Sequence, residues 1–138
     1  MKLLMLILML VLPVAGFSQP KTVKTGAHAF TIQWLSDNVK PGKVIIKPFQ
    51  KGSYTIEGEQ RDNARNEYIT IKGIFDVVGR ELIFDGRIVS RIAYINNGQP
   101  CELKGPAVFR ASGKRKYWRL QQMLNCDKQT TDYVDIYF

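Results

Sequence analysis

The chain has 138 residues, with 20 Lys and Arg against 12 Asp and Glu, a formal net charge of +8, two cysteines and one histidine. That length holds one domain with one modest core. A single histidine leaves Ser–His–Asp or Cys–His catalysis one place to stand, and two cysteines with no histidine nearby make a poor zinc site.

Met1-Lys2 is a short positive start, Leu3 to Val14 is an unbroken apolar run, and Ala15-Gly16-Phe17-Ser18 supplies small residues where a signal peptidase reads. This is the layout of a cleaved secretory signal over residues 1–18. The apolar run has 12 residues, whereas a spanning helix needs roughly 20, and no second run follows, so no integral helical span is expected after cleavage. No cysteine stands at the cleavage site for a lipid anchor. Removal of 18 residues from 138 leaves a domain of 120, residues 19–138, and loss of Lys2 lowers the charge from +8 to +7. The expected address is periplasmic or extracellular. Export turns the basic balance away from nucleic acid and toward acidic glycans, lipopolysaccharide or acidic proteins.

The rest reads as strands and turns. His28 to Leu35 alternates with Phe30, Ile32 and Trp34 on one face, and Pro41-Gly42 breaks it. Val44-Ile45-Ile46 opens a strand ending near Pro48. Tyr54, Ile56 and Gly58 share a face of the next, with Thr55, Glu57 and Glu59 opposite, and Arg61 to Asn66 reads as a loop. Ile69, Ile71, Gly73, Phe75 and Val77 alternate up to the turn at Gly79-Arg80. Leu82, Phe84 and Ile88 to Ile95 continue as strand until Asn96-Asn97-Gly98, a strong turn. Leu103 to Ala111, Lys116 to Leu124 and Tyr133 to Phe138 complete the set. No segment carries a helical period.

An apolar–charged–Gly triplet recurs at Ile56-Glu57-Gly58, Ile71-Lys72-Gly73, Phe84-Asp85-Gly86 and Leu103-Lys104-Gly105, at spacings of 15, 13 and 19 residues. Glycine within a strand marks a bend or a close backbone approach. Four in successive strands predict an all-β up-and-down meander curling into a small closed barrel. A two-sheet β-sandwich is the alternative, and Asp85-Gly86 could instead be a hairpin turn. Cys101 and Cys126, in an oxidising compartment, predict a disulfide.

The best candidate site is a basic hairpin with its tip at Ser112-Gly113. Arg110, Lys114, Arg115, Lys116 and Arg119 gather five cations there. Alternation puts Tyr117 and Arg119 on one face and Trp118 in the core. Arginine forks fit carboxylates, phosphates and sulfates, and an adjacent aromatic can stack on a sugar ring, so a non-catalytic binding role for an anionic ligand is expected. The alternative is a solvated basic hairpin whose charges keep a sheet edge from aggregating. His28 reads as structural. Glu57 and Glu59 lie on one strand face and would be the acid and base of a rival enzymatic reading on envelope polymers. Asp132 and Asp135 fall on opposite faces and are not a pair. No metal or cofactor is expected. Val134, Ile136 and Phe138 alternate to a terminal aromatic as in outer-membrane barrels, but Asp132 would then face lipid, where charge is costly.

Arg115-Lys116-Tyr117-Trp118-Arg119-Leu120-Gln121 and Tyr133-Val134-Asp135-Ile136-Tyr137-Phe138, with Pro100-Cys101 upstream, resemble a family of uncharacterised exported proteins of Bacteroidota-type bacteria. The resemblance covers residues 100–138, and implies export and a shared β-domain but no activity. The barrel is lipocalin-like at the level of fold only, since the usual lipocalin entry motif is missing.

Overall fold

Turn residues and period-two alternation cut the chain into eight strands, seen in a computed structural model that describes residues 23–138. They are β1 (Gly26–Ile32), β2 (Gly42–Pro48), β3 (Ser53–Asp62), β4 (Glu67–Val78), β5 (Glu81–Arg91), β6 (Cys101–Arg110), β7 (Tyr117–Leu120) and β8 (Val134–Tyr137). Each pairs antiparallel with the next, and β8 returns to β1 through Phe30↔Ile136 and Ile32↔Val134. The meander therefore closes into a barrel, not a sandwich. The signal segment, residues 1–18, lies outside the described residues.

The inward face of the strands is mostly apolar, with His28, Gln60, Glu67 and Ser90 as buried polar exceptions. Phe30, Phe84, Phe109, Ile69, Ile71 and Ile136 are each 1% exposed or less. Phe84 and Phe109 meet edge to face with ring centroids 5.9 Å apart. Side chains of the described residues occupy the barrel interior, and the pocket beside Ile69, Ile88, Leu120 and Val134, about 170 Å³, is below the roughly 300 Å³ at which small-ligand sites begin. The outward positions carry charge: Lys43, Glu57, Glu59, Lys72, Arg87 and Lys104 are all exposed. A lipid-spanning barrel needs the reverse, apolar outside and polar within. Val134 and Ile136 point into the core, and β7 and β8 have only four residues each. These features do not favour the outer-membrane reading of the C-terminus.

Three of the triplet glycines lie side by side, Gly73↔Gly86 and Gly86↔Gly105, while Gly58 stands two residues off this row, opposite Ile71. Asp85-Gly86 is mid-strand, not a hairpin. A Cβ on Gly86 would sit 2.3 Å from the Lys72 carbonyl oxygen, and one on Gly58 2.0 Å from that of Lys43. Bare backbone is what lets neighbouring strands approach and coil here.

Several element boundaries differ from the sequence expectation. β5 ends at Arg91, not Ile95, and β7 ends at Leu120, not Leu124. β3 runs on through Arg61 to Asp62, so only residues 63–66 form the turn. β1 stops at Ile32, and Gln33–Ser36 make one helical turn, α1. The Ile32 N–H is taken by the Gln60 side-chain oxygen at 2.9 Å, and the N–H groups of Asn38 and Val39 close onto the Leu35 carbonyl. Leu35 is thereby buried in the core, and Trp34 leaves the face of Phe30 and Ile32. The structure pairs Cys101 with Cys126, with Cα atoms 5.6 Å apart.

Candidate binding site on the outer face of β7, β8 and β1

Strand β7 turns Trp118 and Leu120 into the core and Tyr117 and Arg119 outward, as alternation requires. Across the β7–β8 ladder, Arg119 faces Asp135. Its Nε and Nη2 donate to the two carboxylate oxygens at 2.8 and 2.9 Å. The side chains are 18% and 7% exposed, so the fork is largely withdrawn from water. The Asp135 hydrogen bonds, reinforced by its charge and opposed by burial, raise the Arg119 pKa above its ordinary value.

Arg119 is also stacked. Its guanidinium lies 4.2 Å from the Tyr133 ring centroid and 5.1 Å from that of Tyr117, and Arg115 covers Tyr117 at 5.5 Å. Tyr133, Arg119, Tyr117 and Arg115 thus form an alternating track of rings and cations. Tyr137, opposite Tyr117 with centroids 5.4 Å apart, widens it.

At the Tyr133 end the track opens into a recess of about 600 Å³. Trp34 on α1 and Tyr94, from the loop after β5, form its aromatic wall, with centroids 6.3 Å apart and planes at 88°. The Trp34 indole donates to Asp132 at 2.9 Å, and Asn125 donates to the other oxygen of Asp132 at 2.8 Å. Tyr133 is held by its N–H to the Gln33 side-chain oxygen at 2.7 Å. Asp37 and Asn38 complete the rim.

The predicted hairpin residues divide into two groups. Arg110 is paired with Glu81 at 2.7 Å, and Arg119 with Asp135. Lys114, Arg115 and Lys116 are exposed on the turn, and none has a carboxylate partner among the described residues. Arg80, missed by sequence reasoning, braces the turn from the β4–β5 connection. Its Nε donates to the Ala111 carbonyl and its Nη2 to that of Gly113, each at 2.7 Å. Trp34, Tyr94, Tyr133 and Asp135 were also missed. The readable signal was Tyr133, Asp135 and Tyr137 alternating with the core residues Val134 and Ile136.

His28 is buried, with Nδ1 2.7 Å from the Tyr137 carbonyl oxygen and Nε2 2.6 Å from that of Lys24. Both ring nitrogens are committed to backbone. Glu57 lies 3.9 Å from Lys72, and Glu59 2.8 Å from Arg61. With Asp85 these two carboxylates border a second concavity of about 700 Å³ outside β3–β6. Asp132 and Asp135 serve different partners, Trp34 with Asn125 and Arg119 respectively. Among the described residues no group of three or more His, Cys, Asp or Glu is placed to hold a metal.

Fold and surface define a small closed antiparallel β-barrel with a packed interior and an aromatic–arginine face. The chain belongs to the PM1083 family, which it matches over residues 18–138. It is 37% identical over 114 residues to the "Uncharacterized protein PM1083" of Pasteurella multocida (strain Pm70), covering 82% of this chain and 72% of that protein. No solved structure matches the chain. The family relation thus extends well beyond the C-terminal third in which the sequence shows its resemblance. It bears on neither a Bacteroidota source nor export.

Proposed function

We propose that the protein is an exported, non-catalytic binding domain that takes an acidic glycan along the basic hairpin and the tyrosine–arginine track behind it. The observation that carries this reading is the juxtaposition of three cations without carboxylate partners, Lys114, Arg115 and Lys116, with the ring–cation track that ends on Arg115. Sulfate or carboxylate groups would meet the cations, and the sugar backbone would lie along Tyr117 and Tyr137. The Cys101–Cys126 disulfide supports an oxidising compartment. The commitment of both His28 nitrogens to carbonyls supports a structural role for the one histidine.

The test is a salt titration of the purified protein against polygalacturonate and lipopolysaccharide, with neutral dextran as reference and a Lys114/Arg115/Lys116→Ala variant alongside. Binding that weakens as ionic strength rises, and falls at least about tenfold in the variant, is the expected result. Equal, salt-independent signals on dextran and both polyanions would overturn the reading.

A further inference from the structure

We infer that the recess bounded by Trp34, Tyr94, Tyr133, Asp37 and Asn38 is a pyranose subsite, holding one sugar ring against its aromatic wall. The inference deepens the glycan reading and rests on it; Arg119 and Tyr137 border the recess as well, but Lys114, Arg115 and Lys116 do not.

The first support is shape. A pyranose has an apolar C–H face and a rim of hydroxyls. The recess offers the matching pair: rings on one wall and short polar side chains on the other. Its volume, about 600 Å³, lies within the range typical of small-ligand sites. The second is what the polar groups are doing. The side chains of Asp37 and Asn38 make no hydrogen bond or ion pair with other described residues, although both border the recess. A carboxylate accepts from two hydroxyls, and an amide donates to one and accepts from another. That is the pattern adjacent sugar hydroxyls present. The third is the wall itself. Tyr94 is 68% exposed and touches Trp34 by its edge, a large aromatic surface left open to solvent beside a ring that two hydrogen-bonded side chains hold in place.

Other occupants fit less well. A quaternary ammonium is held by several ring faces around it, but the Tyr133 ring is already covered by Arg119 at 4.2 Å, which leaves two rings whose planes stand at 88°. A nucleobase or other flat aromatic needs parallel faces to lie between, and the Trp34 and Tyr94 planes stand at 88°. Asp132 is then a positioning residue: it orients the indole without facing the sugar.

The experiment follows the Trp34 indole N–H resonance and intrinsic fluorescence while trimers of glucose, galactose, mannose, N-acetylglucosamine and galacturonic acid are titrated in. At least one trimer should shift the Trp34 signals. That shift should survive in the Lys114/Arg115/Lys116→Ala variant and weaken about tenfold or more in Tyr94→Ala and in Asn38→Ala. Both latter positions are exposed, so these variants should keep the wild-type amide spectrum elsewhere. A protein that binds polygalacturonate through the hairpin while no trimer moves Trp34 would overturn the subsite and leave the glycan reading standing. Failure of every trimer and of both polyanions would overturn both. Asp132→Asn should weaken trimer binding and move the indole N–H resonance in the free protein; an unchanged resonance would remove Asp132 from the argument.

Discussion

Asp135 and Arg119 are joined by two hydrogen bonds at a largely buried place, and removing one partner strands the other. Asp135→Ala should lower stability by about 2–3 kcal/mol, read from the urea midpoint at constant slope. Arg87→Ala, which breaks an exposed 2.9 Å pair with Glu102, should cost less than about 1 kcal/mol. Replacing both Arg119 and Asp135 by Leu should recover part of the loss, because no lone charge then remains. Asp127 offers a pH test. The Thr130 hydroxyl, then the Thr130 and Gln129 N–H groups, hold its carboxyl below the ordinary 3.8. A lowered folded-state value stabilises the fold above the unfolded value and ceases to do so as pH falls through the folded one. Asp127→Asn should therefore be less stable than the parent at pH 7 and indistinguishable from it in strong acid.

Strands β3 to β6 owe their curvature to side chains that are absent. Because a Cβ at Gly86 would meet the Lys72 carbonyl and the Gly73 Cα, at 2.3 and 2.6 Å, Gly86→Ala should cost about 3 kcal/mol by overpacking. Gly79 is the contrast. It stands in the β4–β5 turn at φ +58° with open space around it, so Asn, which tolerates the left-handed region, should replace it at a cost of under about 1 kcal/mol. Calorimetry on the two variants would separate a close-approach glycine from a turn glycine. The triplet itself was readable because bends recur strand by strand. Its uneven spacing comes from the connections: a two-residue turn between β4 and β5, but a nine-residue segment between β5 and β6. The α1 turn was not readable. Its cause is Gln60, 28 residues away, taking the Ile32 N–H, and no local pattern records that.

For the molecule as a whole, the disulfide connects the start of β6 to the segment that carries Asn125 and, through it, Asp132 and Trp34. Its sequence separation of 25 corresponds to about 3.5 kcal/mol of loop-closure entropy removed from the unfolded chain. A Cys101→Ser/Cys126→Ser variant should lose about that much in denaturant unfolding. It should also show a broadened Trp34 indole signal, since the support of the recess loosens with the loop. The surface charge works differently. Most arginines are spent on carboxylates, carbonyls or rings, whereas unpaired lysines such as Lys43, Lys47 and Lys104 are spread over the described surface, and the hairpin turn differs in carrying three cations in succession.

What the sequence by itself determined was whatever depends on neighbours in the chain. Period-two alternation set which side chains of a strand share a face, turn residues set where strands end, and the cysteine pair set a cross-link. Barrel over sandwich, and the site, were decided only in three dimensions. Tyr117 and Arg119 were legible as outward residues of a basic hairpin, but Asp135 reaches Arg119 from 16 residues away, and Asp132 reaches Trp34 from 98. Those meetings depend on the β7–β8 register and on β8 closing against β1. Register and closure follow from the whole interior packing at once, and no single stretch of sequence contains them.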